Sequence, residues 1–227
     1  MSGLEVLFED NHLIAVNKPA GILVQGDETE DRPLGEYVKD YIKHRYQKPG
    51  DVFLGVIHRL DRPVSGVCVF ARTSKALSRM NELFKNRDIQ KTYWAITNQR
   101  PEPLSGHLIH YIEKDKNKNL AHAYLRQRNQ AAKQSELDYK LIGSLGSHHL
   151  LEVKPLTGRP HQIRAQLAKI GCPIMGDVKY GHKQANRNGA IHLHCRNLSF
   201  LHPVKKEMVS ITASLPRDQI WSLFDEG

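Results

Sequence analysis

Between Lys91 and Val153 the sequence places five apolar strand candidates between polar segments: Tyr93–Thr97, Gly106–Ile112, Ala121–Leu125, Glu136–Ile142 and Leu150–Val153. Short runs rich in β-branched and aromatic residues pair most readily with their neighbours along the chain, so this stretch is committed to a largely antiparallel sheet. The charged segment 113–119, EKDKNKN, reads as a solvated hairpin tip, with contact to RNA as the less favoured alternative. Val67–Ala71 is an unbroken apolar run suited to a buried strand, and Ile191–Phe200 supplies another strand. At the start, Val6–Phe8 and Leu13–Asn17 form a pair across the Glu9-Asp10-Asn11 turn, after which Pro19 and Gly21 bend the chain into the apolar stretch Ile22–Val24.

Helical periodicity appears in three places. Leu34, Tyr37, Val38, Tyr41 and Ile42 make one face of a helix over Leu34–Arg45. Thr73 caps a second helix with a stripe of Ala76, Leu77, Met80, Leu83 and Phe84. His161–Ile170 forms a third, reached through Gly158-Arg159-Pro160 and closed by Gly171. The expected fold class is therefore α+β: a mixed, mainly antiparallel central sheet with flanking helices.

At 227 residues, with 40 % hydrophobic and 25 % charged side chains, the chain suits one bilobed domain with a proper core and excludes both disorder and a long multidomain assembly. Its formal charge is +9, and the surplus lies between residues 61 and 209. Clustered Lys and Arg gain affinity by displacing counterions from phosphates, which makes a polyanion the leading partner class. Cys68, Cys172 and Cys195 are odd in number and widely spaced, which fits a reducing compartment. The N-terminus has acids where a signal peptide needs bases, and no apolar run approaches the roughly 18 residues of a membrane helix. A cytoplasmic protein without a membrane partner is expected.

No GxxxxGK[ST] phosphate loop, GxGxxG turn or HExxH helix is present, so no cofactor is expected. His192 and His194 raise the question of zinc, but they alternate in a strand pattern with Leu193 and Cys195, which turns the cysteine away from the imidazoles; no metal is expected. The densest unusual segment is Ile57-His58-Arg59-Leu60-Asp61-Arg62-Pro63-Val64-Ser65-Gly66, where one acid lies between two arginines just ahead of a buried strand. Flanking guanidinium groups suit Asp61 to act as a carboxylate nucleophile or base rather than as a proton donor; the bland alternative is an Asp-Arg-Pro turn with surface ion pairs. The second is Leu156-Thr157-Gly158-Arg159-Pro160-His161-Gln162-Ile163-Arg164, where donors crowd a helix start that attracts anions. Arg164 and Arg159 there either meet a carboxylate such as Asp61 and a phosphate, or are ordinary exposed helix residues.

The residues as a set resemble RluA-type pseudouridine synthases from about Leu7 to Pro203. Val16-Asn17-Lys18-Pro19-Ala20-Gly21 resembles the first motif of that family, and His58-Arg59-Leu60-Asp61 with Ser65-Gly66 resembles its catalytic motif. Lys91-Thr92-Tyr93, the Thr157–Arg164 segment, Gly176-Asp177 with Tyr180-Gly181, His192-Leu193-His194, and Phe200-Leu201-His202-Pro203 follow in the family's order. Val64 and Cys195 depart from the usual Thr and Ala; both are conservative in size.

The resemblance implies an RNA isomerase that detaches uracil from its ribose, rotates it and rejoins it through carbon 5, with no cofactor and no nucleotide. It implies Asp61 as the essential carboxylate, Tyr93 stacking on the target base, and Arg164 paired with Asp61. Arg59 is the implied wedge filling the gap left by a flipped base, with Arg62, Arg159, His161 and Lys18 expected at the RNA. On residue type alone Tyr93 reads first as a core tyrosine, because aromatic side chains mostly pack. Since the first motif begins within twenty residues of the start, no separate N-terminal RNA-binding domain is expected, and recognition falls to the catalytic domain, acting as a monomer on a stem-loop of tRNA or rRNA. Two rivals stand beside this. A non-catalytic RNA-binding or ribosome-assembly protein on the same fold would have no need to keep Asp61, Tyr93 and Arg164, and a glycosidase would want a second acid paired with Asp61.

Overall fold

The computed structural model describes residues 4–26, 30–186 and 188–224. The chain divides into two compact units, Met1–Gln90 with Cys195–Pro216, and Lys91–His194 with Arg217–Gly227.

In the first unit, β1 (Val6–Glu9) and β2 (Leu13–Lys18) pair antiparallel, and β2 pairs antiparallel with β4 (Ser65–Ala71) in the register Leu13↔Ala71 to Lys18↔Gly66. The two-residue β3 (Gly55–Val56) also joins β4. On its other side β4 neighbours β10 (Leu193–Leu201), which carries β11 (Met208–Thr212) antiparallel at its far edge. Every residue of β4 is buried, as its unbroken apolar sequence requires.

Helix α1 spans Leu34–Arg45, the expected bounds, and buries Leu34, Val38 and Ile42. Its first residue after Pro33 has no side-chain cap. Instead the segment expected as an apolar continuation at Ile22–Val24 is not a strand: its carbonyls at Leu23 and Val24 accept the Leu34 and Gly35 N–H groups at 2.7 and 3.3 Å. Helix α2 spans Ser74–Asn86, with Thr73 Oγ1 accepting the Ala76 N–H at 3.2 Å as the sequence anticipates. It packs on β3 and β4.

The second unit holds a sheet in the order β5 (Ile89–Thr97), β9 (His148–Pro155), β8 (Lys133–Leu145), β6 (Ser105–Asp115), β7 (Leu120–Tyr124), antiparallel at each of these pairings. The hairpin tip is shorter than expected: β6 runs on to Asp115 and β7 begins at Leu120, because Glu113, Lys114 and Asp115 pair in register with His122, Ala121 and Leu120. Helix α3 (Gln162–Lys169) packs on β6 and β7, where Ala165 joins Ile112 and Ala121 in a small core. The protein is α+β, with a mixed sheet and, among the described residues, three α-helices. Among the described residues no helix is long and apolar enough to cross a membrane.

Candidate active site

Asp61 sits in the loop between β3 and β4, half-buried, between the exposed side chains of Arg59 and Arg62. Buried Leu60 and Val64 anchor the loop, and a turn closes with the Val64 N–H donating to the Asp61 carbonyl at 3.0 Å. His58, ahead of it, accepts the Val69 N–H on Nε2 at 3.0 Å and stacks on Phe84 with ring centroids 5.2 Å apart. A histidine whose nitrogen holds a strand amide and whose face covers a phenyl ring is a fixture of the loop.

The first motif holds this loop from the side. Lys18 Nζ donates to the carbonyls of Pro19 at 3.1 Å, Arg62 at 3.2 Å and Val64 at 2.6 Å. The Gly21 N–H donates to the Arg62 carbonyl at 2.8 Å, and Arg62 Nε returns a bond to the Gly21 carbonyl at 3.0 Å. Arg62 also pairs with Asp31 at 2.7 Å, both half-exposed. Lys18, expected at an RNA phosphate, is instead 0 % exposed. The correction has a plain cause: three carbonyls saturate its three donors, so it clamps the loop that carries Asp61. Burial pushes the Lys18 ammonium down to about 8, against the opposing pull of the Cys68 thiol and the Asp61 carboxylate.

Gly66 explains another part of the motif. Its φ is +113°, and a Cβ there would lie 2.3 Å from the Cys195 carbonyl oxygen and 2.5 Å from the Cys195 nitrogen. The β4 and β10 backbones approach too closely for any side chain at this point. The constraint falls on the backbone of Cys195, and the departure from Ala at that position leaves it intact.

In the second unit, Tyr93 lies half-buried in β5 opposite Val153. Val153 stands opposite Tyr139 and Tyr139 opposite Gly106, six residues from Ile112, so Tyr93 shares the sheet face on which α3 packs. Arg164, on α3, is not an exposed helix residue: its side chain is 5 % exposed, with Nε donating to Asp177 Oδ2 at 2.7 Å and Nη2 to Asp177 Oδ1 at 2.9 Å. The guanidinium carbon lies 4.9 Å from the centre of the Tyr180 ring.

The start of α3 is fixed by two side chains of the same motif. Thr157 Oγ1 accepts the Glu136 N–H at 2.9 Å and donates to Gln162 Oε1 at 2.8 Å. Gln162 Oε1 also accepts the Arg159 N–H at 3.0 Å, while its Nε2 donates to the Glu136 carbonyl at 3.0 Å. The loop is thereby tied to β8, and the Arg159 side chain stays exposed. His161 takes a left-handed conformation, φ +52°, and its Nδ1 is bonded to the Tyr180 hydroxyl at 2.8 Å. That hydroxyl also accepts the Ala121 N–H of the edge strand β7 at 2.8 Å.

Asp177 and Tyr180 are the functional candidates that residue-by-residue reading passes over. Their only signal in the sequence is the Gly176-Asp177 and Tyr180-Gly181 spacing. Thus Lys18, Arg62 and the Asp61 backbone are gathered in the first unit, and Arg164, His161 and the face of Tyr93 in the second. Among the described residues no group of three or more His, Cys, Asp or Glu side chains is placed to hold a metal ion.

A family model described as RNA pseudouridylate synthase matches residues 12–169, a span that contains the Asp61 loop, Tyr93 and Arg164. The chain belongs to the RNA pseudouridylate synthase family. Members of this family isomerise uridine in RNA to pseudouridine, and this chain is such an isomerase. It is 31 % identical to the tRNA pseudouridine synthase C of Vibrio cholerae, over 96 % of this chain and 93 % of that one. It is 32 % identical to the ribosomal large subunit pseudouridine synthase C of Rickettsia felis, over 93 % of this chain and 67 % of that one. Among solved structures, the human RNA pseudouridylate synthase domain containing 4 superposes with a TM-score of 0.80 at 27 % identity, covering 97 % of this chain and 92 % of that one.

Proposed function

We propose that this synthase isomerises one uridine in a structured tRNA or rRNA stem-loop, with Asp61 as the essential carboxylate. The observation that carries the reading is the loop itself: a half-buried carboxylate between two exposed arginines, on a backbone clamped by Lys18 and Gly21. Loops that place chemistry need such rigid support.

The reaction breaks the bond from C1′ of ribose to N1 of uracil and forms one from C1′ to C5. The C5 proton departs and N1 gains one, so the change is an isomerisation in which no redox partner takes part. Asp61 serves either as nucleophile at C1′ or as base at the neighbouring ribose carbon. Tyr93 stacks on the flipped base, Arg164 serves as the third catalytic residue, and Arg59 fills the vacated place in the stack. Arg62, Arg159 and His161 border the RNA backbone. Relatives named for tRNA and for the large ribosomal subunit both support structured RNA as the substrate class. Buried thiols outside any disulfide at Cys68 and Cys172 support a reducing, cytoplasmic setting.

Mapping pseudouridines in total RNA from cells with and without the gene tests the reading. Loss of modification at a defined uridine of tRNA or rRNA is expected; an unchanged map contradicts it.

A further inference from the structure

The Gly176–Tyr180 segment meets Arg164 on two sides. Asp177 receives Nε and Nη2 through its two oxygens, and the Tyr180 ring lies against the guanidinium. The segment is itself immobilised. The Asp177 N–H donates to the Ile174 carbonyl at 3.0 Å, and its own carbonyl accepts the Tyr180 and His182 N–H groups at 3.0 and 3.1 Å. Gly176 has φ +86°, and a Cβ there would stand 2.4 Å from Asn186 Nδ2 and 2.9 Å from the Ala190 carbonyl. His182 Nδ1 accepts the Gly176 N–H at 3.1 Å while its Nε2 bonds Asn98 Oδ1 at 2.8 Å. Tyr180 in turn ties to His161 and to β7 through its hydroxyl.

An arginine side chain turns about several bonds, and each loose torsion spreads its guanidinium over many places. A carboxylate gripping two nitrogens fixes the plane of the group, and an aromatic face beneath it fixes the remaining tilt. We infer that Asp177, seconded by Tyr180, is a positioning residue for Arg164, setting the guanidinium at the one orientation in which it serves the reaction. This rests on the reading of Arg164 as part of the catalytic site given under Proposed function.

The test compares Asp177→Asn, Asp177→Glu, Tyr180→Leu and Asp61→Ala on unmodified RNA that the parent protein converts, with kcat, KM, RNA affinity and folded fraction measured for each. An amide accepts through one oxygen only, so Asp177→Asn breaks the two-point grip. Its kcat per folded molecule is expected to fall roughly 10- to 100-fold, the scale on which misplacing a group by about 1 Å acts, with RNA affinity within about threefold of the parent. Asp177→Glu restores part of that kcat, and Tyr180→Leu lowers kcat without weakening RNA binding. A purely structural role would lower the melting temperature and leave kcat per folded molecule unchanged, and that result overturns the inference. Should Asp177→Asn not fold, Tyr180→Leu decides, and normal kcat in that variant overturns it equally. Turnover surviving in Asp61→Ala overturns the underlying reading instead, so the two failures are distinct.

Discussion

Arg164 and Asp177 meet through two hydrogen bonds of 2.7 and 2.9 Å, with side chains 5 % and 1 % exposed. They lie thirteen positions apart in the chain, and both partners of the pair are almost fully buried. Attraction between two charges out of water is strong, and so is the cost of stranding one of them. Asp177→Ala is expected to destabilise the protein by about 3–5 kcal/mol in urea unfolding, the range for breaking a buried pair. The double variant Asp177→Ala with Arg164→Met is expected to lose less than the two single losses combined. Additive losses would show that the pair is not energetically coupled.

The close approach at Gly66 makes a second expectation. Gly66→Ala must place a methyl group against the Cys195 backbone in a left-handed conformation, and is expected to cost at least about 3 kcal/mol or to prevent folding. Gly21→Ala is the control: φ is +90° there, but nothing lies within 4 Å of the added atom. Backbone strain alone predicts a loss of about 1–2 kcal/mol. Equal losses in the two variants would mean that the β4–β10 contact is not the constraint.

Lys18 links stability to pH. Its folded value of about 8 lies below its ordinary 10.5, so between these limits the unfolded chain binds more protons. The penalty for burying the charge is therefore full below about pH 8 and is released as pH rises toward 10.5. Relative to Lys18→Met, the parent protein is expected to gain up to about 3 kcal/mol across that window, and to show no change in the difference between pH 6 and 7. Denaturant midpoints at intervals from pH 6 to 10 check this, and parallel curves would sink it.

Much of the architecture was legible because burial leaves a period. The stripe at Leu34, Val38 and Ile42 marks α1, and the unbroken run in β4 marks a strand covered on both sides. β3, with two residues, has no period to read, and β11 is an edge strand whose Met208, Ser210 and Thr212 are exposed, which blurs its apolar pattern. At the site, the loop around Asp61 stood out through its charge pattern. Depth is less legible: sequence shows a lysine at position 18 and an arginine at 164, and both types are ordinarily exposed. Their burial depends on partners supplied by other segments, the carbonyls of Arg62 and Val64 for one and the Asp177 carboxylate for the other. No local pattern announces such partners.

The basic surface predicts salt-sensitive RNA binding. Affinity for the substrate RNA is expected to fall linearly with added salt on logarithmic axes, and replacing exposed Arg159 by Ala to reduce that slope by about 0.7–0.9, the contribution of one phosphate contact. Fluorescence anisotropy over a salt series measures both quantities. A flat response contradicts phosphate-led docking.

Pseudouridine formation by purified Asp61→Ala, on an RNA that the parent protein modifies, tests the central assignment most directly. The variant is expected to fold, to bind the RNA with near-parental affinity and to form no pseudouridine under single-turnover conditions. Pseudouridine appearing at any measurable rate in that reaction would contradict the role given to Asp61.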